Sequence, residues 1–184
     1  MSSARPSSAA IPSPISRGCG CRPAWRLRWW PKIVASGKRR RGAATAAAAR
    51  YIESSALLAS FLEADVVAQR AIRARGRRMT SALTVAEAQR ALLRARLVGR
   101  LTEDQERRAL RGLQTFARRC ELIAVSDDVL ARAGRPFPVE PVRTLDAIHL
   151  ASVELLGEPP QLMTVVTRDG RVADTARALG HPVA

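Results

Sequence analysis

The sequence predicts an α/β sandwich with a mostly parallel sheet, formed by residues 50–184. Short apolar runs such as TVVT alternate with longer segments of helical periodicity, an alternation typical of parallel strands joined by helices. Four acidic residues, Glu53, Glu87, Asp146 and Asp169, each lie at the edge of an apolar segment. Acids placed at strand exits and helix starts can converge on a single site.

Each predicted element has a local signal. The strands are short apolar runs, whereas the helices carry apolar residues three or four positions apart. Gly76 and Gly99 end the second and third helices, and Thr102 and Ser126 begin the fourth and fifth as N-caps followed by acidic residues. Residues 134–141 contain three prolines and predict a loop. The predicted strands are residues 50–53, 79–80, 121–124, 163–167 and 182–183, and the predicted helices are residues 54–63, 65–75, 83–97, 103–118, 127–133, 144–156 and 171–179.

The positive charge of the chain is concentrated at its N-terminus. The formal net charge is +15, yet residues 1–50 hold eleven of the 31 basic residues and no acid. Residues 51–184 hold twenty Arg, no Lys and sixteen acids, so this body is only mildly basic. Its arginine clusters, within 73–78 and 107–119, suit either an RNA backbone or ion-paired helix faces. Residues 1–49 are rich in Arg, Ser, Pro and Ala and sustain no apolar period, which predicts a disordered basic extension.

Three interpretations of this extension stay open. Trp25, Trp29 and Trp30 are interleaved with basic residues, a pattern that suits an arm binding RNA or a membrane surface. A composition rich in Arg and Ser and poor in acids also suits an organellar transit peptide. The interpretation we favour is a disordered tail, including the case of translation from a start codon placed too early.

Cysteine content and hydropathy indicate the compartment. Cys19, Cys21 and Cys120 make no disulfide framework, and the Cys19–Cys21 spacing lacks the second pair of ligands that a structural zinc site needs. No window of the sequence approaches the ~18–20 apolar residues of a membrane span. We therefore expect a cytoplasmic protein without membrane association.

The four acids suggest a metal site. Carboxylates brought together without a cation repel each other, and their pKa values rise, whereas Mg2+ and Mn2+ prefer oxygen ligands and relieve the repulsion. Glu53 ends the first strand and Asp169 follows the TVVT strand, so both should lie at the carboxyl edge of the sheet. Glu87 and Asp146 lie in the first turns of their helices. A divalent ion held there can lower the pKa of a bound water and neutralise phosphate charge, which predicts a phosphodiester hydrolase.

Four segments carry a family resemblance in this order: YIESSALL, TSALTVAEAQRAL, RTLDAIHLASV and TVVTRDGRVADTARALGHPV. Together they resemble PIN-domain proteins of the VapC toxin type over residues 50–184, and they cover none of the extension. The resemblance implies a PIN-like three-layer α/β/α sandwich. It also implies a Mg2+- or Mn2+-dependent endoribonuclease of a type II toxin–antitoxin system, which cuts RNA, is held inactive by a cognate antitoxin and forms a homodimer.

The resemblance also implies roles for individual residues. The acidic quartet of the family corresponds to Glu53, Glu87, Asp146 and Asp169, which are expected to bind the metal and to be catalytic. The small polar residue that follows the first acid in the family corresponds to Ser55. Its hydroxyl is expected to steady a metal ligand or a water molecule.

One position departs from the family pattern. The first acid is normally aspartate, and here it is Glu53. The extra methylene adds about 1.5 Å of reach, which can displace Mg2+ from its preferred octahedral geometry. We expect activity to be retained. The alternative is a catalytically degenerate PIN domain that acts as a nucleic-acid- or antitoxin-binding module.

Other polar residues near the quartet have competing interpretations. Arg143 precedes the helix that carries Asp146, and it suits a phosphate contact, an ion pair with a site carboxylate or simple solvation. His149 follows Asp146 by three positions, and we expect it to be packed or hydrogen-bonded rather than to touch substrate. A Ser54–His149–acid hydrolase triad fits by residue type alone, without a G-x-S-x-G elbow to support it.

Overall fold

A computed structural model of the chain describes residues 48–184, in which strands and helices alternate. The strands are β1 (Ala49–Ile52), β2 (Arg77–Ser81), β3 (Glu121–Ile123) and β4 (Met163–Val166). The helices are α1 (Ser54–Leu62), α2 (Val66–Arg73), α3 (Ala82–Leu97), α4 (Glu103–Arg118), α5 (Asp127–Ala133), α6 (Thr144–Leu155) and α7 (Gly170–Ala178), with a 3-10 helix at Pro160–Leu162.

The four strands form one parallel sheet in the order β3-β2-β1-β4. The chain moves outward from β1 through β2 to β3 and then crosses back to β4, so the strand order reverses between β1 and β4. Ala49 of β1 is paired with Arg77 of β2 on one side and with Met163 of β4 on the other. In open parallel sheets this reversal opens a crevice beyond the carboxyl ends of the strands, where ligands bind.

Helices cover both faces of the sheet. Tyr51 and Val165 pack in a core with side chains of α5, α6 and α7. The neighbouring residues Ile52 and Val166 are also fully buried, and strand alternation directs them to the opposite face. On that face α1 packs against α3, and α3 against α4. The α/β/α sandwich predicted from the sequence is therefore confirmed.

Four of the five predicted strands and all seven predicted helices are present among residues 48–184, with bounds that differ by at most two residues. One difference concerns the first acid. β1 ends at Ile52, so Glu53 is the N-cap of α1 and not, as predicted, the last residue of the strand. Its backbone N–H still donates to the Val166 carbonyl at 3.0 Å. The predicted edge strand at residues 182–183 is reduced to a single parallel bridge between Val165 and Val183.

The predicted extension lies almost entirely outside the described residues, which include only its last two positions, 48 and 49. Within residues 48–184, none of the helices combines the length and the apolar character needed to cross a membrane.

Candidate metal centre

Two of the four acids follow neighbouring strands at the crevice. Glu53 comes directly after β1, and Asp169 comes three residues after the end of β4. Each carboxylate caps the helix that begins there: Glu53 accepts from the Ser55 N–H at 3.0 Å, and Asp169 accepts from the Arg171 N–H at 2.8 Å. Helix N-termini carry partial positive charge that favours carboxylates. Local capping therefore directs both acids to the same edge of the sheet.

The Glu53 carboxylate is buried and engaged by several donors at once. Only 4% of the residue is exposed. Its Oε1 accepts from the Ser54 hydroxyl at 2.5 Å, and its Oε2 accepts from the hydroxyl of Ser55 and from that of Thr167, the latter at 2.9 Å. Hydrogen bonds to a charged acceptor are stronger than neutral ones. The fold itself therefore fixes the orientation of this carboxylate.

Ser55 and Thr167 connect the exits of the two strands. The Ser55 hydroxyl donates to Glu53 and accepts from the backbone N–H groups of Arg168 at 2.7 Å and Asp169 at 3.1 Å. The Thr167 hydroxyl also donates to Glu53 and accepts from the Asp169 N–H at 3.0 Å. Ser55 thus contacts a carboxylate of the site, and its role at a metal stays a prediction. Thr167 was missed, although it begins the T-x-D segment that supplied Asp169.

A buried histidine contacts Glu87 and lies beside Glu53. Oε2 of Glu87, on α3, lies 2.7 Å from Nε2 of His149, and this nitrogen lies 3.8 Å from Oε1 of Glu53. Nδ1 of His149 lies 2.8 Å from the Tyr51 hydroxyl. One potential ligand atom each of Glu53, Glu87 and His149 lies within 4.8 Å of the other two. His149 is buried and hydrogen-bonded, as expected, but its place inside the acidic cluster was not predicted.

The Asp146 carboxylate, unlike that of Glu53, has a buried oxygen without a hydrogen-bond donor among residues 48–184. The residue lies in the first turn of α6, and the oxygen is Oδ2. Desolvation raises the pKa of Asp146, and the negative charges of Asp169 and Glu53 raise it further. A buried carboxylate oxygen without donors is costly in free energy. A cation beside this oxygen would remove the cost.

Arg171 places a positive charge beside two of the acids. Its Nε lies 3.9 Å from Asp146 Oδ2, and its Nη2 lies 3.8 Å from Asp169 Oδ2. Both distances are too long for hydrogen bonds, and the side chain is 42% exposed, so the guanidinium is a loose counter-ion. Arg143 caps α6 without a side-chain hydrogen bond, is exposed, and forms no ion pair with the four acids in the described part of the chain. The sequence signal for Arg171 was its position two residues after Asp169.

Two other expectations can be compared with the structure. Within the described residues, Ser54 donates to Glu53 and His149 Nε2 contacts Glu87, so these side chains do not form the serine–histidine pair of a hydrolase triad. The arginine clusters include ion-paired members: Arg77 pairs with Glu121 at 2.9 Å, and Arg107 pairs with an acid one turn away on α4. Ion pairs with neighbouring surface acids account for these two arginines.

The donor set fits a hard divalent cation. Four carboxylates supply oxygen ligands, which Mg2+ and Mn2+ prefer. Burial and then the negative charges of Asp169 and Glu53 raise the pKa of Asp146, and its buried Oδ2 has no hydrogen-bond partner among residues 48–184. Glu53 and Glu87 lie in one close group with His149, and Asp146 interacts electrostatically with Asp169 and Glu53, so these four acids are the candidates to hold the ion.

Known proteins are similar to this chain in sequence and in fold. The PIN domain family matches residues 50–178. Ribonuclease VapC46 of Mycobacterium tuberculosis (strain ATCC 25618 / H37Rv) is 40% identical over 139 residues, covering 74% of this chain and 96% of the relative. Ribonuclease VapC35 of the same strain is 32% identical over 137 residues, covering 72% and 93%. Sheet, acidic site and sequence together define a PIN-domain protein.

Two solved structures agree on the fold. VapC20 of Mycobacterium tuberculosis, a sarcin-ricin loop cleaving toxin, has a TM-score of 0.52 at 15% identity and covers 68% of this chain and 93% of its own. PAE2754 of Pyrobaculum aerophilum has a TM-score of 0.51 at 20% identity and covers 76% and 85%. The chain belongs to the PIN-domain family, and within that family it is VapC-like.

Proposed function

We propose that this protein is a divalent-metal-dependent endoribonuclease of the VapC toxin type. The observation that carries the proposal is the environment of Asp146, at the crevice of a parallel sheet: one carboxylate oxygen is buried without a hydrogen-bond partner among residues 48–184, and burial and the charges of Asp169 and Glu53 raise the pKa. The curated relatives that match over nearly their whole length are named ribonucleases, which supports RNA as the substrate class.

The residues of the site have different roles in the proposed reaction. Glu53, Glu87, Asp146 and Asp169 hold Mg2+ or Mn2+, which when bound lowers the pKa of a water molecule and neutralises phosphate charge. The hydrogen bonds to Glu53 keep its carboxylate in one orientation. Arg171, loosely held beside two acids and partly exposed, is placed to contact a phosphate oxygen of the RNA.

The substrate and partners follow from the same proposal. Single-stranded or looped RNA is the expected target, because proteins read RNA mainly where its bases are unpaired. A cognate antitoxin that holds the enzyme inactive and a homodimeric state are part of the proposal, and the VapC-like sequence supports them.

One observation favours a second candidate. Glu53 replaces the usual aspartate, and its two oxygens already accept hydrogen bonds from Ser54, Ser55 and Thr167. A carboxylate so engaged can serve as a structural cap instead of a ligand. In that case the protein is a degenerate PIN domain that binds RNA or an antitoxin without cutting.

RNA cleavage by the purified full-length chain tests both candidates. Looped RNAs are incubated with Mg2+ or Mn2+, with excess EDTA, and with the Asp146→Asn variant. We expect cleavage that EDTA and Asp146→Asn both abolish, and that survives in the control Asp174→Asn, whose exposed carboxylate pairs with Arg177. Cleavage that persists in EDTA or in Asp146→Asn contradicts the mechanism. An inactive wild type with an active Glu53→Asp variant establishes the degenerate candidate.

A further inference from the structure

His149 lies at the centre of a buried chain of hydrogen bonds that ends on a site carboxylate. The residue is 1% exposed, with Nδ1 at 2.8 Å from the Tyr51 hydroxyl and Nε2 at 2.7 Å from Glu87 Oε2. Tyr51 is itself fully buried. We propose that His149 is a positioning residue, which orients the Glu87 carboxylate for metal binding and does not itself ligate the ion. This inference rests on the proposed function.

The hydrogen bonds determine which nitrogen carries a proton. A carboxylate offers hydrogen-bond acceptors, so Nε2 is the donor in its contact with Glu87. The Tyr51 hydroxyl lies 2.8 Å from Nδ1, and a phenol O–H can donate to a ring nitrogen that carries no proton. A nitrogen that carries a proton has no lone pair for a metal. The Tyr51 hydroxyl therefore favours the form of His149 that holds a carboxylate over the form that binds an ion.

The contact between His149 and Glu87 matters because the two residues lie on different helices. His149 and Asp146 are three positions apart on α6, so they lie on the same face of one helix. Glu87 is on α3 and, among the described residues, its side chain has no hydrogen-bond partner besides His149. The Nε2–Oε2 contact is thus the link that sets Glu87 relative to Asp146. Without it, the Glu87 carboxylate is free to rotate away from the site.

Direct ligation by His149 is the competing interpretation. Its Nε2 lies within 4.8 Å of both glutamate carboxylates, a spacing that a shared ion would also suit. Direct ligation requires that the Nε2 proton leave and that Glu87 lose its donor. The two interpretations therefore differ in a property that spectroscopy measures, namely whether an imidazole nitrogen is bonded to the metal.

The first experiment is a calorimetric titration of the full chain with Mn2+. His149→Leu removes the donor and should weaken Mn2+ binding by about 10–100-fold, the usual effect of losing a group that orients a ligand. His149→Gln keeps an N–H donor for Glu87 and should recover affinity to within about threefold of wild type. Tyr51→Phe removes the hydroxyl behind His149 and should cost about threefold to tenfold.

His181→Leu is the matched control. His181 is also buried, at 5% exposure, and its Nδ1 contacts the Met163 carbonyl at 3.1 Å instead of a site acid. This variant should lower the melting temperature and leave Mn2+ affinity unchanged. An equal loss of affinity in His149→Leu and His181→Leu would mean that His149 acts only on the stability of the fold, and would overturn the proposal.

Pulsed electron paramagnetic resonance of the Mn2+ complex gives the second readout. We expect no nitrogen-14 coupling of the strength that a coordinated imidazole produces. Such a coupling in wild type, lost in His149→Leu, overturns the proposal in favour of direct ligation. If His149→Leu does not fold, His149→Gln and Tyr51→Phe decide, and unchanged affinity in Tyr51→Phe together with lost affinity in His149→Gln contradicts the proposal.

The proposed function and this inference fail in distinguishable ways. A wild-type chain that neither binds Mn2+ nor cleaves RNA overturns both. A wild-type chain that does both, with His149→Leu folded and within about threefold of it in affinity, overturns the positioning role alone.

Discussion

The acidic site has two differently built sides: a strand side, with Glu53 directly after β1, and a helix side, with Asp146 on α6. On the strand side, the Glu53 carboxylate accepts hydrogen bonds from Ser54, Ser55 and Thr167. On the helix side, Asp146 has a buried Oδ2 without a hydrogen-bond partner in residues 48–184, and burial and neighbouring acids raise its pKa. Both side chains are largely buried, so burial alone does not explain the difference.

The two sides contribute differently to metal binding: the strand side orients a carboxylate, and the helix side contributes binding free energy for the cation. Donors on the strand side hold a carboxylate in place before any ion arrives, and this lowers the cost of organising the site. The helix side leaves the charge of Asp146 balanced only by the loose counter-ion Arg171, and a cation that relieves the remaining repulsion gains binding free energy. We expect the metal-free protein to have a lower free energy of unfolding with Asp146 than with an uncharged residue at this position. Functional clusters commonly reduce stability in this way.

Asp146→Asn is the strongest test of the helix side. An amide removes both the ligand charge and the repulsion, so RNA cleavage should fall on the order of 100-fold or more while the metal-free melting temperature rises. Thermal melts with and without Mn2+ check the second half: Mn2+ should raise the melting temperature of wild type and not of the variant. A metal-free variant that melts below wild type would show that Asp146 stabilises the fold, and the comparison would fail.

Glu53→Gln tests the strand side. An amide offers one acceptor oxygen, and its NH2 group would face hydroxyl donors. We expect the free energy of unfolding to fall by about 1–3 kcal/mol, measured by urea denaturation without metal. The control is Glu63→Gln, an exposed residue at the opposite end of α1. Equal stability of the two variants would mean that the strand side is not organised by these hydrogen bonds.

Mn2+ affinity and stability should depend on pH in the way that the raised pKa of Asp146 predicts. Its pKa is raised in the folded chain, so on acidification it takes up a proton earlier than an ordinary aspartate, and Mn2+ affinity should begin to fall at correspondingly higher pH. The charged form is costly in the metal-free fold. The stability linked to its protonation is therefore present below the unfolded-state pKa and is lost as pH rises through the folded pKa. The melting-temperature advantage of Asp146→Asn should consequently shrink as the pH is lowered; an advantage independent of pH argues against this origin.

Arg171→Gln has the smallest expected effect. Removal of a loose, partly exposed counter-ion from beside Asp146 and Asp169 should raise Mn2+ affinity about twofold to fivefold, because the arginine no longer competes with the ion. Arg177→Gln, on the same helix and paired with Asp174, should leave the affinity at the wild-type value. Weaker Mn2+ binding in Arg171→Gln would show that the arginine supports the site instead of competing for it.

Local sequence signals account for much of the fold. The capping box of Thr102 with Gln105, the cap of Ser126 and the apolar strands gave element bounds within two residues of those observed. The start of α1 was the exception for the site. Residues 50–53 were predicted as a strand that ends at Glu53, whereas the Glu53 side chain caps the helix that follows.

The candidate site was predicted less completely than the fold. Four acids at element edges were visible in the sequence, but their hydrogen-bond partners were not. Thr167 lies 114 residues from Glu53, and His149 lies 62 residues from Glu87 and 98 from Tyr51. Contacts of this separation depend on how α6 and β4 pack against β1, and no local pattern encodes them.

The sequence by itself determined the fold class, the order of the elements, the four acids and the family resemblance, because periodicity, capping and motif order are local properties of the chain. The tertiary structure decided which carboxylates receive hydrogen bonds from side chains and which buried oxygen does not. Hydroxyls converge on Glu53 and a histidine meets Glu87, while Asp146 faces other negative charges across the crevice. The physical reason is that desolvation and charge repulsion depend on distances between elements, which exist only once the sheet and its two helix layers are assembled.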